Sequence, residues 1–139
     1  MEIQLSLAPI KQEVDIIYNG LCDHNEHFAP NVRESSIGFW LLDETKSMVG
    51  GIAAQQVGSI LQINYFWLPE VYRGQAWGSQ LYYQLEAYAS KYALQSICLD
   101  TYSFQAPKFY QGLGFHEVGR FQNYPLNGID KIFMQKVLM

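Results

Sequence analysis

The sequence predicts one mixed α/β domain, residues 1–139, built on a central sheet with flanking helices. Three observations carry this expectation. The 139 residues are 49% apolar and 16% charged, a composition that folds around a core rather than staying disordered. Apolar runs near the start, middle and end of the chain have strand length or alternate with period two. Between them, two segments repeat their apolar residues every three to four positions, the mark of one helical face. The resulting order is strand, helix, three strands, helix, strand, helix and two strands, which suits a single mixed sheet.

Taken in order, Ile3, Leu5 and Leu7 alternate and predict a strand over 2–7. Pro9 then opens a helix, where its missing N–H costs nothing. Ile10, Val14, Ile17 and Leu21 form the helix's apolar stripe. The stretch CDHNEHFAPNVRESS is polar and broken by Pro30, and is expected to be the least ordered part of the chain. IGFWLLD, MVGGIAAQQV and ILQINYFWL follow as a meander, joined by ETKS and by the two-residue turn Gly58-Ser59. Period two in the third strand places Gln62, Asn64, Phe66 and Leu68 on one face, and Leu61, Ile63, Tyr65 and Trp67 on the other. A turn, PEVYRGQAWG, leads to a helix over about 75–93 with Leu81, Leu85, Tyr88 and Tyr92 as its buried stripe. SICLDTY reads as a short buried strand and APKFYQGL as a short helix with Pro107 in its first turn. FHEVGRFQ and KIFMQKVL close the chain as a strand pair.

Charge and composition exclude some functions. Nine Lys and Arg against 13 Asp and Glu give a net charge of −4, so no basic face large enough for nucleic acid can be built. No segment approaches the roughly 18 apolar residues of a membrane span. The N-terminus lacks the basic and apolar regions of a secretion signal, and a cytoplasmic location is expected. Cys22 and Cys98 fall in expected core segments and read as reduced thiols. Aromatic residues reach 15%, which fits an aromatic core or the lining of a ligand cleft.

The sharpest local feature is Arg73-Gly74-Gln75-Ala76-Trp77-Gly78-Ser79, between an apolar strand and an amphipathic helix. Small residues let a ligand approach the backbone, and the first N–H groups of a helix have no intrahelical partner. A pyrophosphate would fit there, with the helix dipole adding positive potential. The same residues also suit a plain strand–helix turn. The spacing is neither a dinucleotide fingerprint nor a Walker loop.

The region from about Gly50 to Phe115 resembles the GNAT superfamily of acyl-CoA-dependent N-acyltransferases. The family signature [Gln/Arg]-x-x-Gly-x-[Gly/Ala] is present as Arg73, Ala76 and Gly78, with Ala76 in place of the first glycine. The preceding FWLPEVYRG resembles the family's apolar run, with Phe66 and Leu68 at its apolar positions. A second signature is present as Ser103, Ala106, Phe109, Tyr110, Gly114 and Phe115, with Ser103 where asparagine is usual. The segment from Asp100 to Phe115 is most similar to small stand-alone bacterial members. The resemblance implies a mostly antiparallel sheet split by a coenzyme A cleft.

It also implies an enzyme that moves an acetyl group from acetyl-CoA, as co-substrate and without a metal, to a primary amine of a small molecule or peptide by direct attack. Arg73 and the N–H groups of Gly74, Gln75, Ala76, Trp77, Gly78 and Ser79 would hold the pyrophosphate, with Ser103 and Tyr110 completing the cofactor site. The strand at Phe66 and Leu68 would pair with pantetheine, and Tyr110 would protonate the leaving thiolate. Gln62 and Asn64 stand where some members carry a carboxylate base; neither amide can serve as one, and they would instead orient a water or the substrate. The base is then a water chain or a residue of the 24–34 stretch, such as His24 or His27, histidine being the side chain suited to proton transfer near neutral pH. Asp23, Glu26 and Glu34 would suit a cationic acceptor there, or form a solvated acidic loop. The alternative is a non-catalytic acyl-CoA-binding module of the same fold. The sequence leaves the oligomeric state open, with a homodimer considered.

Overall fold

The sheet begins with the meander. In the computed structural model, which describes residues 1–30 and 32–139, β1 (Glu34–Leu42), β2 (Met48–Val57) and β3 (Ile60–Trp67) run antiparallel in sequence. Local chemistry closes both turns. Asp43 Oδ1 accepts hydrogen bonds from the N–H groups of Thr45 at 2.8 Å and Ser47 at 3.0 Å. Gly58, at φ 59°, takes the left-handed conformation that the two-residue hairpin needs. A 3₁₀ turn (Glu70–Tyr72) follows, then α2 (Trp77–Lys91), β4 (Ser96–Tyr102), α3 (Pro107–Gly112), β5 (His116–Phe121) and β6 (Lys131–Val137). The strand order is β1-β2-β3-β4-β6-β5, antiparallel throughout except for the parallel pair β3–β4.

α2 lays Leu81, Tyr82, Leu85 and Ala89 into the core against Ile52, Leu61, Ile97 and Met134. The expected stripe is corrected at its end: Tyr92 caps the helix and is 55% exposed. Ala89, one turn after Leu85, continues the buried row instead. α3 starts with Pro107 in its first turn, and Gly114 at φ 99° ends it. There the N–H of Phe115 reaches back to the carbonyl of Tyr110 at 3.0 Å, a closure that needs a residue free to adopt positive φ.

The chain forms two compact units, Met1–Val32 and Arg33–Met139. The first holds α1 (Lys11–Phe28), preceded by residues 1–10 without regular structure. The strand expected over 2–7 does not form, because a strand needs a partner for its N–H and C=O groups and the described residues of this unit hold no second strand. α1 starts with the Ile10 N–H donating to Glu13 Oε1 at 3.1 Å. It then runs through the polar residues expected to be irregular, and places His24, Glu26 and His27 on helix. It stops two residues before Pro30, which disfavours helical geometry in its predecessor Ala29. Asn31, in the same expected irregular stretch, lies outside the described residues. Cys22 is exposed and Cys98 half-buried, so neither is the core thiol that the sequence suggested.

Candidate active site

The cleft arises because two neighbouring strands separate. β3 and β4 pair only at Ile60–Ser96, Leu61–Ile97 and Gln62–Cys98. β4 goes on pairing with β6 as far as Tyr102, and β3 with β2 as far as Trp67. Beyond Gln62 and Cys98 the facing edges of β3 and β4 are therefore open to a ligand's amide groups.

A β-bulge marks the opening. The β2–β3 register shifts between Ala53 and Ala54, so that Asn64 is an extra residue. This corrects the expected faces. Leu61 and Ile63 share the core side with Phe66 and Leu68, while Tyr65 and Trp67 are exposed on the other side. One inserted residue reverses the alternation downstream of it. The bulge thereby turns the Phe66 ring towards Phe109 and Tyr110, with ring centroids 5.7 and 6.3 Å away.

The fork continues into a cavity of about 850 Å³. It is lined by Phe66, Leu68, Phe109 and Tyr110, and by Arg73, Gly74, Ala76, Gly78 and Ser79 around the start of α2. At that end α2 has no side-chain cap. The first of its N–H groups to find a backbone partner is that of Gln80, bonded to Ala76 O at 3.0 Å, so the preceding turn's donors remain open. Ala76 itself sits at φ 67° in left-handed conformation, where the family pattern has glycine. Arg73 Nε donates to Leu68 O at 2.9 Å, which holds the guanidinium at the cavity wall and leaves its terminal nitrogens unpartnered among the described residues. A Cβ on Gly78 would stand 3.4 Å from the Phe109 ring.

Tyr110 lies at the junction of fork and cavity. It is 8% exposed, ringed by Phe66, Phe109 and Phe115, and its hydroxyl makes no hydrogen bond to any described residue. Burial pushes its pKa up to about 12, helped by the negative charge of Asp100. The phenol is therefore protonated at neutral pH and free to donate.

Of the other sequence-derived residues, Asn64 lines the cleft. Gln62 belongs to the last paired position, Gln75 donates from Nε2 to Val71 O at 2.8 Å, and Trp77 starts α2 outside the lining. Ser103 is also outside it. Its N–H donates to Asp130 O at 2.9 Å and its Oγ accepts from the Asp130 N–H at 3.0 Å, so it ties the end of β4 to the β5–β6 loop. His27 and Glu26 stand on the last turns of α1, whereas every residue lining the cleft belongs to the second unit. Glu34, on β1, accepts from Gln55 Nε2 at 2.9 Å. Asp100 was missed: it lines the cavity two residues past the last β3–β4 pair. The available signal was a lone carboxylate inside the apolar strand SICLDTY. Among the described residues no group of three or more His, Cys, Asp or Glu could hold a metal.

Comparison with known proteins agrees with this geometry. The chain is similar over 97% of its length to an acetyltransferase from Bacillus cereus, of which 98% is covered, at 26% identity and TM-score 0.88. It is similar to the ribosomal-protein-S18-alanine N-acetyltransferase of Escherichia coli at 24% identity and TM-score 0.68, with 81% of this chain and 76% of that one covered. It also shares its fold with an aminoglycoside 6'-N-acetyltransferase solved with coenzyme A, at 16% identity and TM-score 0.64 over 97% and 98% of the two chains. No curated protein sequence matches it. The family model for the acetyltransferase (GNAT) domain matches residues 18–138, and with the forked sheet and the open α2 turn in place, the chain belongs to the GNAT acetyltransferase family.

Proposed function

We infer that this protein is an acetyl-CoA-dependent N-acetyltransferase, acting through residues 1–139 as one domain on a primary amine of a small molecule or peptide. The observation that carries this reading is the continuity of the cleft. One open channel joins unpaired helix N–H groups, an unpaired strand edge and a buried, protonated phenol. In this reading Arg73 and the first turn of α2 hold the pyrophosphate, where positive potential and unpaired N–H groups coincide. The β3 edge at Phe66–Leu68 hydrogen-bonds the pantetheine arm, and an N–H there polarises the thioester carbonyl. The neutral amine attacks that carbonyl, the C–S bond breaks, one N–H proton of the amine passes to the departing sulfur, and Tyr110 donates a hydrogen bond to that sulfur. Phe66, Phe109 and Phe115 surround the ring of Tyr110, and its burial keeps the phenol in the donor state.

The test is calorimetry with acetyl-CoA, followed by thiol release with a panel of primary amines. Binding is expected, with a stabilisation of about 2.7 kcal/mol at one hundred times the dissociation constant. Amine-dependent thiol release is expected with at least one member of the panel. Binding without thiol release would favour a non-catalytic acyl-CoA-binding module, the reading for which Ala76 in place of glycine is the supporting observation. No binding at millimolar acetyl-CoA would refute both.

A further inference from the structure

Asp100 accepts no hydrogen bond from any described residue, and its one ion pair is long. Charged residues are poor strand formers, yet this one lies in β4 between Leu99 and Thr101, both of which face the core. Its side chain is 42% exposed. It is the one carboxylate among the described residues lining the cavity, and no described residue donates a hydrogen bond to it. The nearest cation, Lys131 Nζ, is 3.9 Å away, at the outer limit of an ion pair. The same ammonium lies over the Tyr124 and Phe133 rings, at 5.2 and 5.7 Å, so its own surroundings do not depend on Asp100.

The position is set by the parting of the strands. The last parallel pair is Gln62 with Cys98, and Asp100 is the next residue on the Cys98 side of the strand. Had the strands stayed together, β3 would cover this edge. Because they part, the carboxylate faces the open fork, with the bulge residue Asn64 across it and Tyr110 deeper inside. The charge reaches that phenol, raising its pKa further beyond the effect of burial. A solvent-exposed carboxylate thus shares the cleft lining with the aromatic rings of Phe66, Phe109 and the buried Tyr110.

We propose that Asp100 is the acceptor-recognition residue: its carboxylate receives the N–H groups of a cationic amine at the mouth of the fork and selects acceptors that carry positive charge at neutral pH. This deepens the acetyltransferase reading and rests on it. An alkylamine with a pKa near 10 arrives as an ammonium ion, sheds its water more readily where a carboxylate with open acceptor positions takes over the hydrogen bonds, and releases one proton to solvent before attack. Asn64 offers an amide oxygen on the facing strand for a further N–H. Anionic acceptors meet the same charge as repulsion.

The test titrates benzylammonium and spermidine into the full-length protein, with and without saturating coenzyme A, for the native chain, Asp100→Asn and Asp100→Glu. The native protein should bind both cations. Asp100→Asn should weaken them about tenfold to a hundredfold, the range of a lost charge-assisted hydrogen bond. Asp100→Glu, which keeps the charge, should recover most of the loss. Equal cation affinity in the native and Asn forms, or no cation binding by the native protein, would overturn the proposal. Acetyl-CoA affinity, measured in the same three proteins, should not change. Its absence from all three would instead be the failure of the acetyltransferase reading. Melting curves establish that each variant is folded, and the Glu form provides the comparison should the Asn form unfold.

Discussion

Replacing Tyr110 by Phe keeps the ring against Phe66, Phe109 and Phe115 and removes one hydroxyl that bonds to no described residue. The size of the effect follows from the site. The phenol is pushed up to about 12, whereas a free thiol has a pKa near 8.5. A gap of about 3.5 pKa units opposes complete proton transfer to a free thiolate by about 5 kcal/mol. Tyr110 therefore serves the leaving sulfur as a hydrogen-bond donor, with the proton itself coming from the attacking amine. A hydrogen bond to a charged group is worth about 1.5–3 kcal/mol, which predicts a fall in kcat of about 10- to 150-fold. The interaction develops as the C–S bond breaks, so the dissociation constant for acetyl-CoA should barely change. The assay is steady-state thiol release at saturating acetyl-CoA, beside calorimetry and a melting curve. Unchanged turnover would reduce Tyr110 to packing. A fall beyond about 10³-fold would mean full general-acid catalysis and refute the pKa argument.

The same phenol predicts alkaline behaviour. Its pKa is raised on folding, so its contribution is complete below pH 10 and is lost as pH climbs to about 12; native protein should lose up to about 2–3 kcal/mol more than Tyr110→Phe across that window in urea titrations. Ala76→Gly should relieve a left-handed conformation that costs an L-residue about 1–2 kcal/mol, less the entropy glycine gains on unfolding, for a net gain of about 0.5–1 kcal/mol and a Tm higher by about 2–4 °C. A lower Tm would show that the turn holds no strain. Gly78→Val should keep the fold, since its Cβ meets the Phe109 ring at an ordinary 3.4 Å, while its branches crowd the pyrophosphate end. Acetyl-CoA affinity is expected to drop at least about tenfold by calorimetry; an unchanged value in a folded variant refutes the phosphate cradle.

The elements that local chemistry specifies were legible in the chain. Strands Met48–Val57 and Ile60–Trp67 lie where alternation and Gly58 placed them. The short helix starts at Pro107 and closes at Gly114 because one residue has a preset φ and the other tolerates positive φ. The residues Phe66, Leu68, Arg73, Gly74, Ala76, Gly78, Ser79 and Tyr110 were also legible, since each belongs to a contiguous motif that one strand–turn–helix or one helical turn presents.

What the sequence hid depends on pairing between distant segments. Alternation at Ile3, Leu5 and Leu7 could not supply a partner strand, and 2–7 remains irregular in its unit. Polarity at CDHNEH is compatible with an exposed helix as much as with a loop, and nothing local stops α1 before Pro30. The bulge at Asn64 exists only as a mismatch between β2 and β3, so the faces of Phe66 and Trp67 could not be read from β3 alone. Ser103 occupies a motif position, yet its hydrogen bonds go to Asp130, 27 residues away. Asp100 became part of a site only when β3 and β4 separated after three paired residues. The sequence by itself determined the motifs and the turns, because those forces act within a few residues. Tertiary structure decided where the sheet opens and which side chains line the opening, because strand register is a property of two segments and not of either one.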